Sequence, residues 1–148
     1  MNSKTTNDST HFSNPNGPNG WLNLQSPHGF KSILFNYGNA AQAWYSLVHN
    51  INEEEFLKGN YKTAETELSS DSKYVIILRI LRDKIGTHPI LKQYLLDTGD
   101  SEIIFNVSKF ASMDQKWLGR YEPDSIGLNK LGVAWMQIRK ELQDTQNE

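Results

Sequence analysis

Two stretches of the chain repeat apolar residues at spacings of three and four, and such stripes must be buried against something. Tyr74, Ile77, Leu78, Leu81 and Ile85 mark one face; Leu128, Leu131, Trp135, Ile138 and Leu142 mark another. That period belongs to amphipathic helices. Ala40, Ala41, Trp44, Leu47 and Val48 repeat it from Asn39 onward, and Ile90, Leu91, Tyr94 and Leu95 repeat it after Pro89. Ser69, Ser70 and Asp71 offer capping side chains before the first long stripe. Gly86 is read as its stop. Thr87 or His88 caps the next helix with Pro89 at an early position, and Thr98-Gly99-Asp100 ends it. The tail Gln143 to Glu148 is polar and expected to fray.

Between these helices the period drops. Glu102 to Val107 is short, apolar and β-branched, and reads as a strand. Trp21 to Leu24 and Phe30 to Phe35 read as two further strands that pair as a hairpin across Gln25-Ser26-Pro27-His28-Gly29. Asn14-Pro15-Asn16-Gly17-Pro18-Asn19-Gly20 is dense in turn formers and reads as a loop. Tyr61 to Glu67 reads as a solvated helix, and Ser112 to Leu128 as irregular chain. The expectation is a helix-rich α+β single domain with a small β-sheet or hairpin. Its bounds are 12–142, with a disordered polar tail over 1–11 and a frayed tail over 143–148.

Composition excludes several classes of function. The 148 residues carry 15 Lys and Arg against 17 Asp and Glu, a net charge of −2. Nucleic acid is not held by bulk basicity in such a chain, although a local basic patch remains open. There are no cysteines, so disulfides, zinc–thiolate sites and cysteine nucleophiles are excluded. No apolar run approaches the roughly 20 residues that span a bilayer. The N-terminus has no apolar core of a signal peptide, so the expected compartment is the cytoplasm. No cofactor is indicated. His11, His28, His49 and His88 show no i, i+4 metal spacing and read as scattered surface or capping residues.

Other candidates are read residue by residue. Gly127-Leu128-Asn129-Lys130-Leu131-Gly132 echoes a phosphate loop, but Val133-Ala134 stands where Lys and Ser or Thr are needed. What remains is a Gly before a helix with Asn129 and Lys130 in its first turn, which can meet an anion or be an ordinary helix start. Glu53-Glu54-Glu55 reads as a solvated face. Trp44, Trp117 and Trp135 can stack on a base or fill a core; Trp135 lies on an apolar stripe, while Trp117 sits in polar chain. Asp114, three residues before Trp117, is a carboxylate close to an indole in sequence. It reads either as a turn residue or as an acid or base.

Three segments together resemble a known family. Thr98-Gly99-Asp100, Asp114-Gln115-Lys116-Trp117-Leu118-Gly119, and Gly127 through Arg139 follow the order and spacing of the NADAR superfamily, which includes the YbiA-like proteins. Phe12-Ser13-Asn14 resembles its opening motif, and Gln42-Ala43 falls on the Gln-Ala pair of its first helix. The resemblance implies an N-glycosidase-like site acting on the bond between a base or amine and a ribose phosphate, with a carboxylate supporting a sugar cation. Carried over, Asp114 is the catalytic candidate. Ser13, Asn14, Trp117, Arg120, Asn129 and Lys130 are the ligand-binding candidates, and no metal is implied. The family's first-helix glutamate falls on Gly38, its neighbouring His on Asn39, and the second Gly of its Trp-Gly loop is absent.

Three readings follow. In the first, a divergent member binds an ADP-ribose-like nucleotide or ribosyl phosphate with lost or weakened activity, since a positioned acid or base contributes roughly 10²–10⁴-fold. In the second, it is an active N-glycosidase using Asp114 and a relocated acid. In the third, it is a protein-interaction or inhibitor module that reuses the fold. The small, cysteine-free, Asn-rich chain also suits a phage protein, which would place it in a host cytoplasm.

Overall fold

The computed structural model describes residues 9–32, 35–59 and 66–146. Strand β1 (Ser9–Phe12) opens it and pairs in parallel with β4 (Glu102–Phe105), Ser9 opposite Glu102 and Phe12 opposite Phe105. A parallel pair needs a crossover, and here the long segment carrying the hairpin and α1 to α4 supplies it. β2 (Phe30–Ser32) and β3 (Phe35–Tyr37) form a separate antiparallel hairpin. The helices are α1 (Ala40–His49), α2 (Glu53–Leu57), α3 (Ser70–Thr87), α4 (Pro89–Asp97), α5 (Met113–Leu118) and α6 (Lys130–Gln146). α3 packs on α1, α4 and α6, and α6 in turn covers β4.

The apolar stripes explain this packing. Ile77, Leu78, Leu81 and Ile85 of α3 are buried, as are Leu131, Trp135 and Ile138 of α6 and Leu91 and Leu95 of α4. Ile103 and Ile104 bury both faces of β4. Side-chain caps set the helix starts. Asn39 accepts from Gln42 N, Asn52 from Glu55 N, Ser69 from Ser72 N and Ser112 from Gln115 N, each satisfying a donor that the first turn leaves open. α6 approaches β4 so closely that a Cβ on Gly132 would collide with the Ile103 carbonyl.

Several expectations are corrected. Trp21 to Leu24 is not a strand: Gly20–Leu22 is one turn of 3₁₀ helix, and Leu22, Asn23 and Leu24 are buried in succession rather than alternately. The carbonyls of Trp21 and Asn23 turn inward to the Lys84 ammonium, so they are unavailable to a ladder. The hairpin joins β2 to β3 instead. Ser112 to Leu128 contains α5 and a 3₁₀ turn over Glu122–Asp124. α3 runs through Gly86 to Thr87. Ser9 to His11, read as tail, are paired strand, and α6 continues through Gln146. Of the helix expected over Tyr61 to Glu67, Thr66 and Glu67 are non-helical and the rest lies outside the described residues. No helix among the described residues is long and apolar enough to cross a membrane.

Candidate functional site

α5 and α1 meet around one carboxylate. Asp114 stands in the first turn of α5, and its side chain is only 7% exposed. Trp44 Nε1–H donates to both carboxylate oxygens at 3.2 and 3.3 Å. The Tyr45 hydroxyl donates to Oδ2 at 3.1 Å, and His49 Nε2 donates to Oδ1 at 2.9 Å. An ionised carboxylate has about four acceptor positions. Four contacts from three donors on a single helix take up these positions, the one Trp44 N–H being shared between both oxygens. Helical geometry explains the convergence: Tyr45 and His49 are separated by four residues and share a face of α1, their rings stacked at 5.3 Å.

Asp114 lines a cleft of about 550 Å³ together with His49, Thr66, Lys73, Lys116 and Trp117, with Met113 and Leu128 at its mouth. Met113 and Leu128 are 87% and 57% exposed. Asp114 is the one carboxylate among the described lining residues, opposed by two lysines. Lys73 projects from the first turn of α3; burial lowers its pKa, against the opposing pull of Asp114. Its ammonium sits 4.4 Å from the Trp117 ring centroid.

Trp117 is 6% exposed. It stacks on Trp44 at 5.4 Å with planes 20° apart, and its Nε1–H donates to Ser70 Oγ at 2.8 Å. With Trp44 on the ring and Lys73 over it, Trp117 offers no open face to a base. It lines the cleft and packs against the Trp44 that bonds Asp114. Trp44 and Trp135 are fully buried, and Trp135 donates to the Leu22 carbonyl.

The other sequence candidates are placed elsewhere. Asn129 is 2% exposed, in the left-handed region with φ 51°, and its amide is spent on β4: Oδ1 accepts from Phe105 N and Nδ2 donates to the Ile103 carbonyl. It is a brace between the start of α6 and the strand, which corrects its reading as a ligand group. The Lys130 ammonium lies 5.7 Å from the Tyr74 ring, outside the cleft lining. Arg120 pairs with Glu122 at 2.8 Å and Glu102 at 3.7 Å, contacts that raise its pKa and lower that of Glu122. It too is absent from the lining. Ser13 borders a second cavity of about 160 Å³, beside Tyr45 and Gln115. Asn14 is exposed and accepts from Asn16 N in a turn.

His49 corrects the reading of four scattered histidines, because its side chain is 1% exposed and ion-paired or hydrogen-bonded to Asp114. Tyr45, Lys73 and Lys116 were also not singled out by sequence. The i, i+4 pair Tyr45/His49 was a readable signal; the lysines carried none. Glu53 and Glu54 are exposed, as expected for a solvated face. Glu53 accepts from Gln42 Nε2 at 3.0 Å, and Gln42 Oε1 accepts from Gly38 N at 2.6 Å. The acidic run therefore lies near the Gly38 position but does not line the cleft. Among the described residues, no three His, Asp or Glu side chains cluster to hold a metal.

No family model matches the sequence, and no curated protein matches it. Among solved structures the chain is similar to the E. coli protein YbiA, in its NMR structure, with a TM-score of 0.73. The match has 17% sequence identity and covers 96% of this chain and 89% of that chain. The chain therefore has the YbiA-like α+β fold that the sequence resemblance implies.

Proposed function

We propose that the chain binds a ribosyl phosphate in the Asp114 cleft, or an ADP-ribose-like nucleotide through its ribose phosphate, with weak or lost N-glycosidase turnover. The observation that carries this is Asp114 itself, held by Trp44, Tyr45 and His49 at the edge of a cleft that also presents Lys73 and Lys116. A carboxylate oriented by three donors, one of them an N–H shared between its two oxygens, suits a sugar hydroxyl that takes over one of those shared contacts. Two ammonium groups suit a phosphate. Glycosidic cleavage ordinarily uses two carboxylates flanking the bond, and among the described residues only Asp114 lines this cleft. Binding is therefore better supported than turnover. With the faces of Trp117 occupied, recognition rests on the sugar and phosphate rather than on a stacked base.

Calorimetric titration with ribose 5-phosphate and with ADP-ribose, followed by product analysis of the same samples, tests the reading. The expected result is binding without product. Lys73→Ala or Lys116→Ala should weaken it roughly 10–100-fold, the worth of a charge-assisted hydrogen bond. Release of free base or sugar phosphate makes the chain an active N-glycosidase. A second reading, a protein-interaction module, is favoured by the exposed Met113 and Leu128 at the cleft mouth; absence of heat with either ligand would turn the account towards it.

A further inference from the structure

A second ionisable cluster lies away from the cleft, and it rests on observations independent of the reading above. Lys84 of α3 is fully buried. Its ammonium donates to the Trp21 carbonyl at 2.7 Å, the Asn23 carbonyl at 3.1 Å and Ser26 Oγ at 2.7 Å. The indole of Trp135, from α6, lies 5.7 Å from it. Among the described residues no carboxylate pairs with it, and Asp83 next to it is paired with Arg79. Ser26, itself 1% exposed, is 2.9 Å from His28 Nδ1. His28 meets His88, at the junction of α3 and α4, edge to face at 5.1 Å, and His88 Nε2–H donates to the Gly29 carbonyl at 2.6 Å. A continuous hydrogen-bonded line thus runs from a buried cation through one hydroxyl to a half-buried histidine.

We propose that Lys84, Ser26 and His28 form a proton-sharing relay, in which one proton resides either on the buried lysine or on the histidine. The hydrogen-bond arithmetic closes in both arrangements. In the first, the ammonium fills its three acceptors and the Ser26 hydroxyl donates to a neutral His28 Nδ1. In the second, one Nζ proton has passed to Ser26 Oγ as the Ser26 proton passed to Nδ1. The neutral amine then keeps two N–H groups for the Trp21 and Asn23 carbonyls and accepts from Ser26, while His28 becomes the cation. No proton is gained or lost and no heavy atom needs to move. The groups also compete. Burial brings Lys84 down to about 7, while burial, Lys84 and His88 together lower His28. Joined through one hydroxyl, the two groups are coupled, and their titration steps belong to the pair. The relay underlies the segment 20–29, whose Leu24 carbonyl accepts from Ala41 N at the start of α1. That hydrogen bond ties the segment to α1, whose Trp44, Tyr45 and His49 hold Asp114.

The test is an NMR titration of the whole chain between pH 5 and 10, following lysine ¹³Cε and histidine ring ¹⁵N. The expected result is that Lys84 and His28 each show two steps at common midpoints, one of them near 7. Ser26→Ala should separate them into two independent single steps. If Ser26→Ala does not fold, His28→Asn should leave Lys84 with a single step. A Lys84 that titrates once, above 10, would overturn the proposal. So would two-step behaviour that survives either substitution.

Discussion

Asp114 and Asn129 are both buried polar residues at helix starts, and what each is bonded to separates their roles. Asn129 spends its amide on the backbone of β4. Asn129→Ala leaves a buried N–H and a buried carbonyl unpaired, and should cost about 2–4 kcal/mol in urea unfolding. Any ligand affinity should be unchanged wherever the variant stays folded. Asp114 is bonded to side chains and borders open space. Asp114→Asn turns an amide N–H towards groups that are themselves donors, which should cost about 2 kcal/mol of stability. It should also abolish calorimetric binding of ribose 5-phosphate. Equal binding by wild type and Asp114→Asn would remove Asp114 from the site. The sequence sets Asp114 and Trp117 three residues apart, and both line one cleft; that Asn129 spends its amide on β4 was not legible, because a side chain's hydrogen-bond partners across 24 residues leave no mark on local spacing.

Elements were legible where one face meets the core. The stripes of α1, α3, α4 and α6 and the apolar run of β4 are burial patterns, and burial is what periodicity reports. Trp21 to Leu24 was misread because its conformation is set by Lys84, a lysine in the middle of the α3 stripe whose burial no hydropathy pattern announces. Lys84→Met retains the packing volume but leaves the Trp21 and Asn23 carbonyls without a donor. It should destabilise the chain by about 2–3 kcal/mol in denaturant unfolding; an increase in stability would mean that the buried charge costs more than its three bonds return. α5 escaped notice because six residues are too few to show a period. At the contact of α6 with β4, Gly132→Ala should cost about 2–3 kcal/mol, since a methyl group must displace the strand carbonyl. A neutral result would mean that α6 shifts without penalty.

At the scale of the molecule, one parallel strand pair joins the start of the described chain to β4, and α1, from the crossover, meets α5, which follows β4, at the cleft. The fold itself was readable through the motif order of the C-terminal half, and the similarity to YbiA over 96% of the chain agrees with it. Stability should carry the signature of the buried cations. Lys84 titrates near 7 in the folded chain and at about 10.5 when unfolded. Between those values the unfolded chain holds the extra proton, so stability rises with pH. Lowered His28 acts in the same sense below 6.5, stability falling with acid. Urea midpoints should therefore increase from pH 6 to pH 8.5, and Lys84→Met should flatten the rise; a falling midpoint in wild type would contradict the burial of Lys84. The Trp44 indole N–H bonded to Asp114 reports directly on the cleft. On titration with ribose 5-phosphate, its NMR resonance should shift with saturation while that of Trp135, bonded to Leu22, stays in place. An unmoved Trp44 resonance at saturating ligand would contradict the assignment of the site.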